Sequence, residues 1–117
     1  MRNWVVLAAI NGFIAVAAGA FAAHSLATRL DAQMLGVFET GARYQMYHAL
    51  ALGLVGALAL NKWLDRAGAC FAIGIVLFSG SLYALALSGV TWLGIITPFG
   101  GVLFLAGWAM LAWGARR

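Results

Sequence analysis

The side chains in this sequence that could do chemistry are His24, Glu39, Arg43, Tyr44, Gln45, Tyr47, His48 and Tyr83. Six of them crowd into "ETGARYQMYHAL", residues 39–50. Glu39, Arg43 and Tyr47 recur every four residues and so share one face of a helix, with the acid N-terminal to the base in the favourable order. Tyr44 and His48 form an adjacent face by the same spacing. An imidazole titrates near neutral pH and a guanidinium clasps carboxylates and phosphates. The set could therefore bind a lipid headgroup or small anion, or pass a proton. The same residues also have a purely structural account. Glu39 and Arg43 would neutralise each other as an ion pair, Tyr44 and Tyr47 would anchor at the membrane interface, and His48 would donate to a backbone carbonyl of a neighbouring helix.

No catalytic residue is assigned. There is no Ser-His-Asp or Cys-His set, no carboxylate pair close in sequence and no phosphate loop. A base such as His48 or Glu39 acting on lipid or quinone would have no nucleophile beside it. No metal or cofactor is expected, because His24, Glu39 and His48 lack a fourth ligand and the usual close spacing for zinc.

The elements that must position these groups are membrane helices. The chain of 117 residues is 65% hydrophobic and 9% charged, against about 45–50% and about 25% in soluble domains. Apolar runs near the roughly 20 residues that cross a bilayer predict a single all-α domain, 1–117, an integral membrane four-helix bundle. The spans are placed at about 4–24, 40–61, 68–88 and 93–113. The second apolar run is short, so its helix must begin upstream among the polar residues. Leu26, Leu30, Met34 and Phe38 recur every four residues, with Arg29, Asp31 and Gln33 between them, and predict a short surface helix in the first loop. No internal repeat is visible.

The formal charge of +4 does not point to nucleic acid, because the basic residues sit at helix ends and form no stripe. Arg2, Lys62, Arg66, Arg116 and Arg117 fall on one side of an even-numbered bundle. By the positive-inside rule both termini are cytoplasmic. Residues 1–25 also resemble a signal peptide, with a basic start and the A-x-A of Ala20 and Ala22. Their apolar run is longer than such a segment needs and Asn11-Gly12 interrupts it, so they are read as the first span. Cys70 reads as a small buried hydrophobe.

Small residues every four positions predict close helix packing. These are Ala15, Gly19 and Ala23 on the first helix, Ala49, Gly53 and Ala57 on the second, and Gly80, Ala84 and Ser88 on the third. Asn11, Ser79 and Ser81 are expected to hydrogen-bond between helices. Pro98 is expected to kink the fourth span. The candidate residues converge on the outer half of the bundle.

Four blocks, "GAFAAHSL", "ETGARYQMYHALAL", "LFSGSLYALALSG" and "GIITPFGGVLFLAGWAMLA", together resemble the small membrane proteins of domain-of-unknown-function family 423. The resemblance runs from about Gly12 to Ala112. The matching positions are Gly19, His24, Glu39, Thr40, Gly41, Tyr44, Gln45, His48, Ser79, Gly80, Ser81, Tyr83, Pro98, Gly100, Gly101 and Gly107. It implies a four-helix protein of bacterial inner membranes, similar to a small eukaryotic transmembrane family, and implies no activity.

The function read from the sequence is that of a small, non-enzymatic structural or accessory membrane component. Its partners are the lipid bilayer and, in one arrangement, further copies in a homo-oligomer. The alternative is a binder or transporter of a lipid headgroup, small anion or proton in the outer polar cluster. Single cysteines at Ser25 and Asn61, in a Cys70→Ala background, should label from opposite sides of the membrane; labelling from one side would overturn the four-span reading.

Overall fold

The computed structural model describes residues 3–116; Arg2 and Arg117, used above for orientation, lie outside them. Four helices account for most of the chain: α1 Trp4–His24, α2 Ala32–Leu58, α3 Lys62–Ser88 and α4 Thr97–Ala115. The described residues contain no strand. Three helical segments, based on α1, α3 and α4, are long and apolar enough to cross a membrane. The fourth helix, α2, is equally long but carries Glu39, Thr40, Arg43, Gln45 and His48 in its middle turns. A helix of 27 residues spans about 40 Å, the thickness of a bilayer with its headgroups.

Close pairing follows chain order: α1 against α2, α2 against α3, α3 against α4. The long polar helix is thus flanked by α1 and α3. One end of the molecule gathers the start of α1, the α2–α3 turn and the end of α4, where Trp4 Nε1 donates to Asp65 at 2.8 Å and Asn61 Nδ2 to the Gly114 carbonyl at 2.9 Å. Arg66 and Arg116 lie over the Trp63 and Trp113 rings at this end. His24, the first loop and Ser88 lie towards the other end.

The first loop differs from expectation. Only Leu26–Thr28 forms a helical turn of its own, a 3-10 turn, and α2 begins at Ala32. Asp31 caps that start, its carboxylate accepting from Met34 N at 2.8 Å. Of the four-residue repeat, Leu30 lies just before the cap and Met34 and Phe38 fall in the first turns of α2, whose inner face Phe38 continues: Phe38, Gly41, Ala42 and Gln45 are buried. Likewise residues 62–67, left between the second and third spans by the bounds above, are the first turns of α3, capped by Asn61 accepting from Trp63 N at 3.0 Å.

Pro98 does not kink a span. It falls in the first turn of α4, where a missing amide loses no intrahelical partner, and a 3-10 turn, Thr91–Ile95, delivers the chain to it.

The small-residue stripes are only partly at helix contacts. A Cβ on Gly19 or Gly80 would meet nothing within 4 Å, whereas one on Gly53 would touch Ala8 at 3.7 Å. The tightest approach lies instead between α3 and α4. A Cβ on Gly100 would stand 2.8 Å from the Phe78 Cα, a backbone atom that cannot rotate away. Gly107 similarly admits the edge of Phe71.

Gly100→Ala should therefore destabilise the protein by about 1–3 kcal/mol, the usual cost of overpacking. Gly80→Ala should be neutral or slightly stabilising. Unfolding followed by circular dichroism in a mild detergent checks both, and equal effects would contradict the α3–α4 seam.

Candidate functional site

The polar residues of α2 separate into three settings. In the first, Gln45 is buried at 4% exposure and reaches both neighbouring helices. Its Nε2 donates to Asn11 Oδ1 on α1 at 2.9 Å, and its Oε1 accepts from Tyr83 Oη on α3 at 2.7 Å. Asn11 Nδ2 returns to the Leu7 carbonyl at 2.9 Å. One amide thus links three helices, each atom used in its natural sense.

His48, one turn further along, is also 4% exposed. Trp108 Nε1 on α4 lies 3.1 Å from His48 Nε2. An indole N–H can only donate, so Nε2 carries the lone pair. Nδ1 lies 2.8 Å from the Tyr44 carbonyl, which can only accept, so Nδ1 carries the proton. The ring is the neutral Nδ1–H tautomer with both nitrogens engaged. It stacks on Phe104 with centroids 3.5 Å apart and planes 6° from parallel, and meets Phe71 at 5.6 Å. The carbonyl it uses belongs to its own helix, and the contact to a neighbouring helix runs through the indole.

Serines complete this interior. Ser79, fully buried, donates to the Gly41 carbonyl at 2.7 Å. Ser81 donates to the Phe78 carbonyl at 2.9 Å, so across its 2.5 Å contact with Thr97 the threonine hydroxyl is the donor. Asn11, Ser79 and Ser81 are thus interhelical ties as expected. Among the described residues no buried side-chain nitrogen or oxygen lacks a hydrogen-bond partner.

The third setting is the rim. Arg43 is exposed and Glu39 half-buried. They form no ion pair, contrary to the structural account above: Arg43 Nη2 donates to Thr40 Oγ1 at 3.1 Å, and Thr40 in turn donates to the Gly36 carbonyl at 2.9 Å. Both line an open groove of about 380 Å³ between the N-terminal turns of α2 and Leu82 of α3, with Gln33, Gly36 and Val37.

The eight candidate residues are therefore not one cluster. Gln45 and Tyr83 are bonded to each other, and Tyr44 lends His48 its carbonyl and a nearly parallel ring at 6.3 Å. Glu39 and Arg43 share the groove, Tyr47 is 51% exposed, and His24 is exposed on the last turn of α1. No three His, Cys, Asp or Glu side chains among the described residues are placed to share a metal ion. Trp108 and Thr97 were not among the candidates. The signal for Trp108 was available, since an indole N–H in the middle of an apolar helix must find an acceptor.

Gln45→Leu should strand the Tyr83 hydroxyl and the Asn11 amide and cost about 1–3 kcal/mol. A double-mutant cycle of Gln45→Leu with Tyr83→Phe, read by detergent unfolding, should give a coupling of about 0.6–1.7 kcal/mol. Coupling near zero would deny that the pair is bonded in the folded protein.

Residues 18–101 match the family described as "Protein of unknown function (DUF423)". The chain is similar to a UPF0382 membrane protein of Staphylococcus saprophyticus, 46% identical over 122 residues, covering 100% of this chain and 99% of that protein. It is 48% identical over 119 residues to the UPF0382 inner membrane protein YgdD of Escherichia coli, covering 99% of this chain and 91% of that protein. It is likewise 48% identical over 120 residues to a UPF0382 membrane protein of Haemophilus influenzae, covering 100% and 97%. No solved structure matches.

Proposed function

The chain belongs to the DUF423 family of membrane proteins, a family with no named enzymatic activity, and from that premise we propose that it is a non-enzymatic structural or accessory component of the bacterial inner membrane. In this reading all four helices cross the bilayer, both termini face the cytoplasm, and lipid is the protein's principal partner. Lys62, Arg66 and Arg116 at one end, with their tryptophans, support that orientation.

The observation that carries the proposal is that, among the described residues, every buried polar side-chain atom has a partner within the protein. An enzyme or carrier must leave some donor, acceptor or lone pair to be met by its substrate. Here Gln45, His48, Ser79, Ser81 and Tyr83 each bond to the protein itself. The His48 ring has no lone pair left for a metal or for relaying a proton. These bonds do what intramembrane polar groups are required to do, pairing with one another across helices.

Native mass spectrometry of the protein released from gently solubilised membranes tests this. Wild type and His48→Ala should retain the same bound molecules in the same oligomeric state. A defined small molecule held by the wild type and lost in His48→Ala would make the interior a ligand site and sink the proposal.

A further inference from the structure

The rim groove is where charge is left available. Arg43 has five N–H donors and spends one on Thr40. Glu39, four residues earlier, shares the groove and no ion pair. Four residues rise about 6 Å along a helix, and helical side chains lean toward the N-terminus. The contact from Arg43 back to Thr40 is that lean. That lean brings the guanidinium to the turn that carries Glu39, so a cationic and an anionic group face one groove. Val37 and Leu82 supply apolar walls, and Gly36 leaves the groove open, a Cβ there meeting nothing within 4 Å.

We infer that this groove binds the headgroup of a zwitterionic phospholipid of the phosphoethanolamine type. The match is one of charge, a guanidinium and a carboxylate in one groove against a phosphate and an ammonium in one headgroup. In such a lipid the phosphate lies next to the glycerol and the ammonium lies further out. Arg43 meets the phosphate with charge-assisted hydrogen bonds, Glu39 accepts from the ammonium, and the glycerol and first methylenes lie on Val37 and Leu82. An anionic headgroup without the amine brings its charge to Arg43 but leaves Glu39 facing it. A trimethylammonium headgroup has the right charge and no N–H to give Glu39. The site is outside the interior network, so it stands or falls separately from the non-enzymatic reading.

The test uses the full-length protein in mild detergent with an equimolar mixture of phosphatidylethanolamine, phosphatidylglycerol and phosphatidylcholine, read by native mass spectrometry. Wild type should retain phosphatidylethanolamine about tenfold over the other two, the size expected for losing one hydrogen bond to a charged group. Arg43→Gln should lose that retention about tenfold, and Glu39→Gln should lose the discrimination against phosphatidylglycerol. Gly36→Leu, which has room to fold, should fill the groove and abolish the preference. Circular dichroism confirms that each variant is folded. Equal retention of the three lipids by wild type, or a preference unmoved by Arg43→Gln and Gly36→Leu, would overturn the assignment. Micromolar competition by free phosphoethanolamine would overturn its lipid part, since the soluble headgroup has nothing to lay on Val37 and Leu82.

Discussion

Gln45 sits where water does not reach and has to be answered from both sides at once. Inside a bilayer an unmatched amide costs several kcal/mol, so the positions of Asn11 on α1 and Tyr83 on α3 are not independent of it. The bond from Gln45 to each fixes the rotation of α1 and α3 about their own axes. It also fixes the depth at which the two flank α2. α1 has the greatest need of this. It buries only Ala15 and Ala22, and lipid gives an apolar helix no reason to prefer a neighbour to the bilayer. Asn11 near its middle and Trp4 on Asp65 at its end hold it by hydrogen bonds, beside a close approach in which Gly56 of α2 makes room for Val5 and Gly68 of α3 for the Trp4 ring.

The other side of the molecule relies on close packing more heavily still. Between α3 and α4 the backbones come so close at Gly100 that Phe78 fills the space of a side chain, and Gly107 receives Phe71. His48 enters this seam from α2, flat against Phe104 and under the Trp108 indole. The histidine is there as a planar ring with two hydrogen-bonding edges. A phenylalanine could stack on Phe104, but it would leave the Trp108 N–H without its acceptor. The polar seam and the close-packed seam thus meet at α2, which accounts for the polarity of a helix running between apolar ones.

Much of this architecture was legible in the residues. Long apolar runs gave the helices, and Asn11, Ser79 and Ser81 had to find partners wherever a membrane helix placed them. What the residues could not give was which side chain answers which. The spacing of Glu39 and Arg43 is that of an ion pair, yet Thr40, one helical turn before Arg43, is already fixed by the Gly36 carbonyl and takes the guanidinium. Local signals were outvoted in the loops as well. Leu30, Met34 and Phe38 have the period of an amphipathic surface helix, but the same period continues into Ala42 and Gln45, so a helix capped at Asp31 runs on without a break. Pro98 was read against a span beginning at residue 93, and its meaning reversed once the helix began at Thr97. The small-residue stripes failed for a related reason. A stripe shows where a helix could be approached, and a Cβ on Gly80 would meet nothing within 4 Å among the described residues.

The division between interior and rim has a consequence for where this protein can act. Each interior polar group is engaged by another part of the chain, so a ligand could enter there only by displacing a helix contact, at the cost of an unpaired group left in lipid. At the rim the constraint relaxes. Arg43 is exposed, and so long a side chain can carry its charge along the helix to where its unused donors meet water. A substitution at such a residue leaves the helix contacts in place, whereas a change at Gln45 or His48 removes bonds to neighbouring helices. Selectivity is free to develop on the surface of the bundle, and the interior can remain what the bilayer requires of it, a closed set of hydrogen bonds.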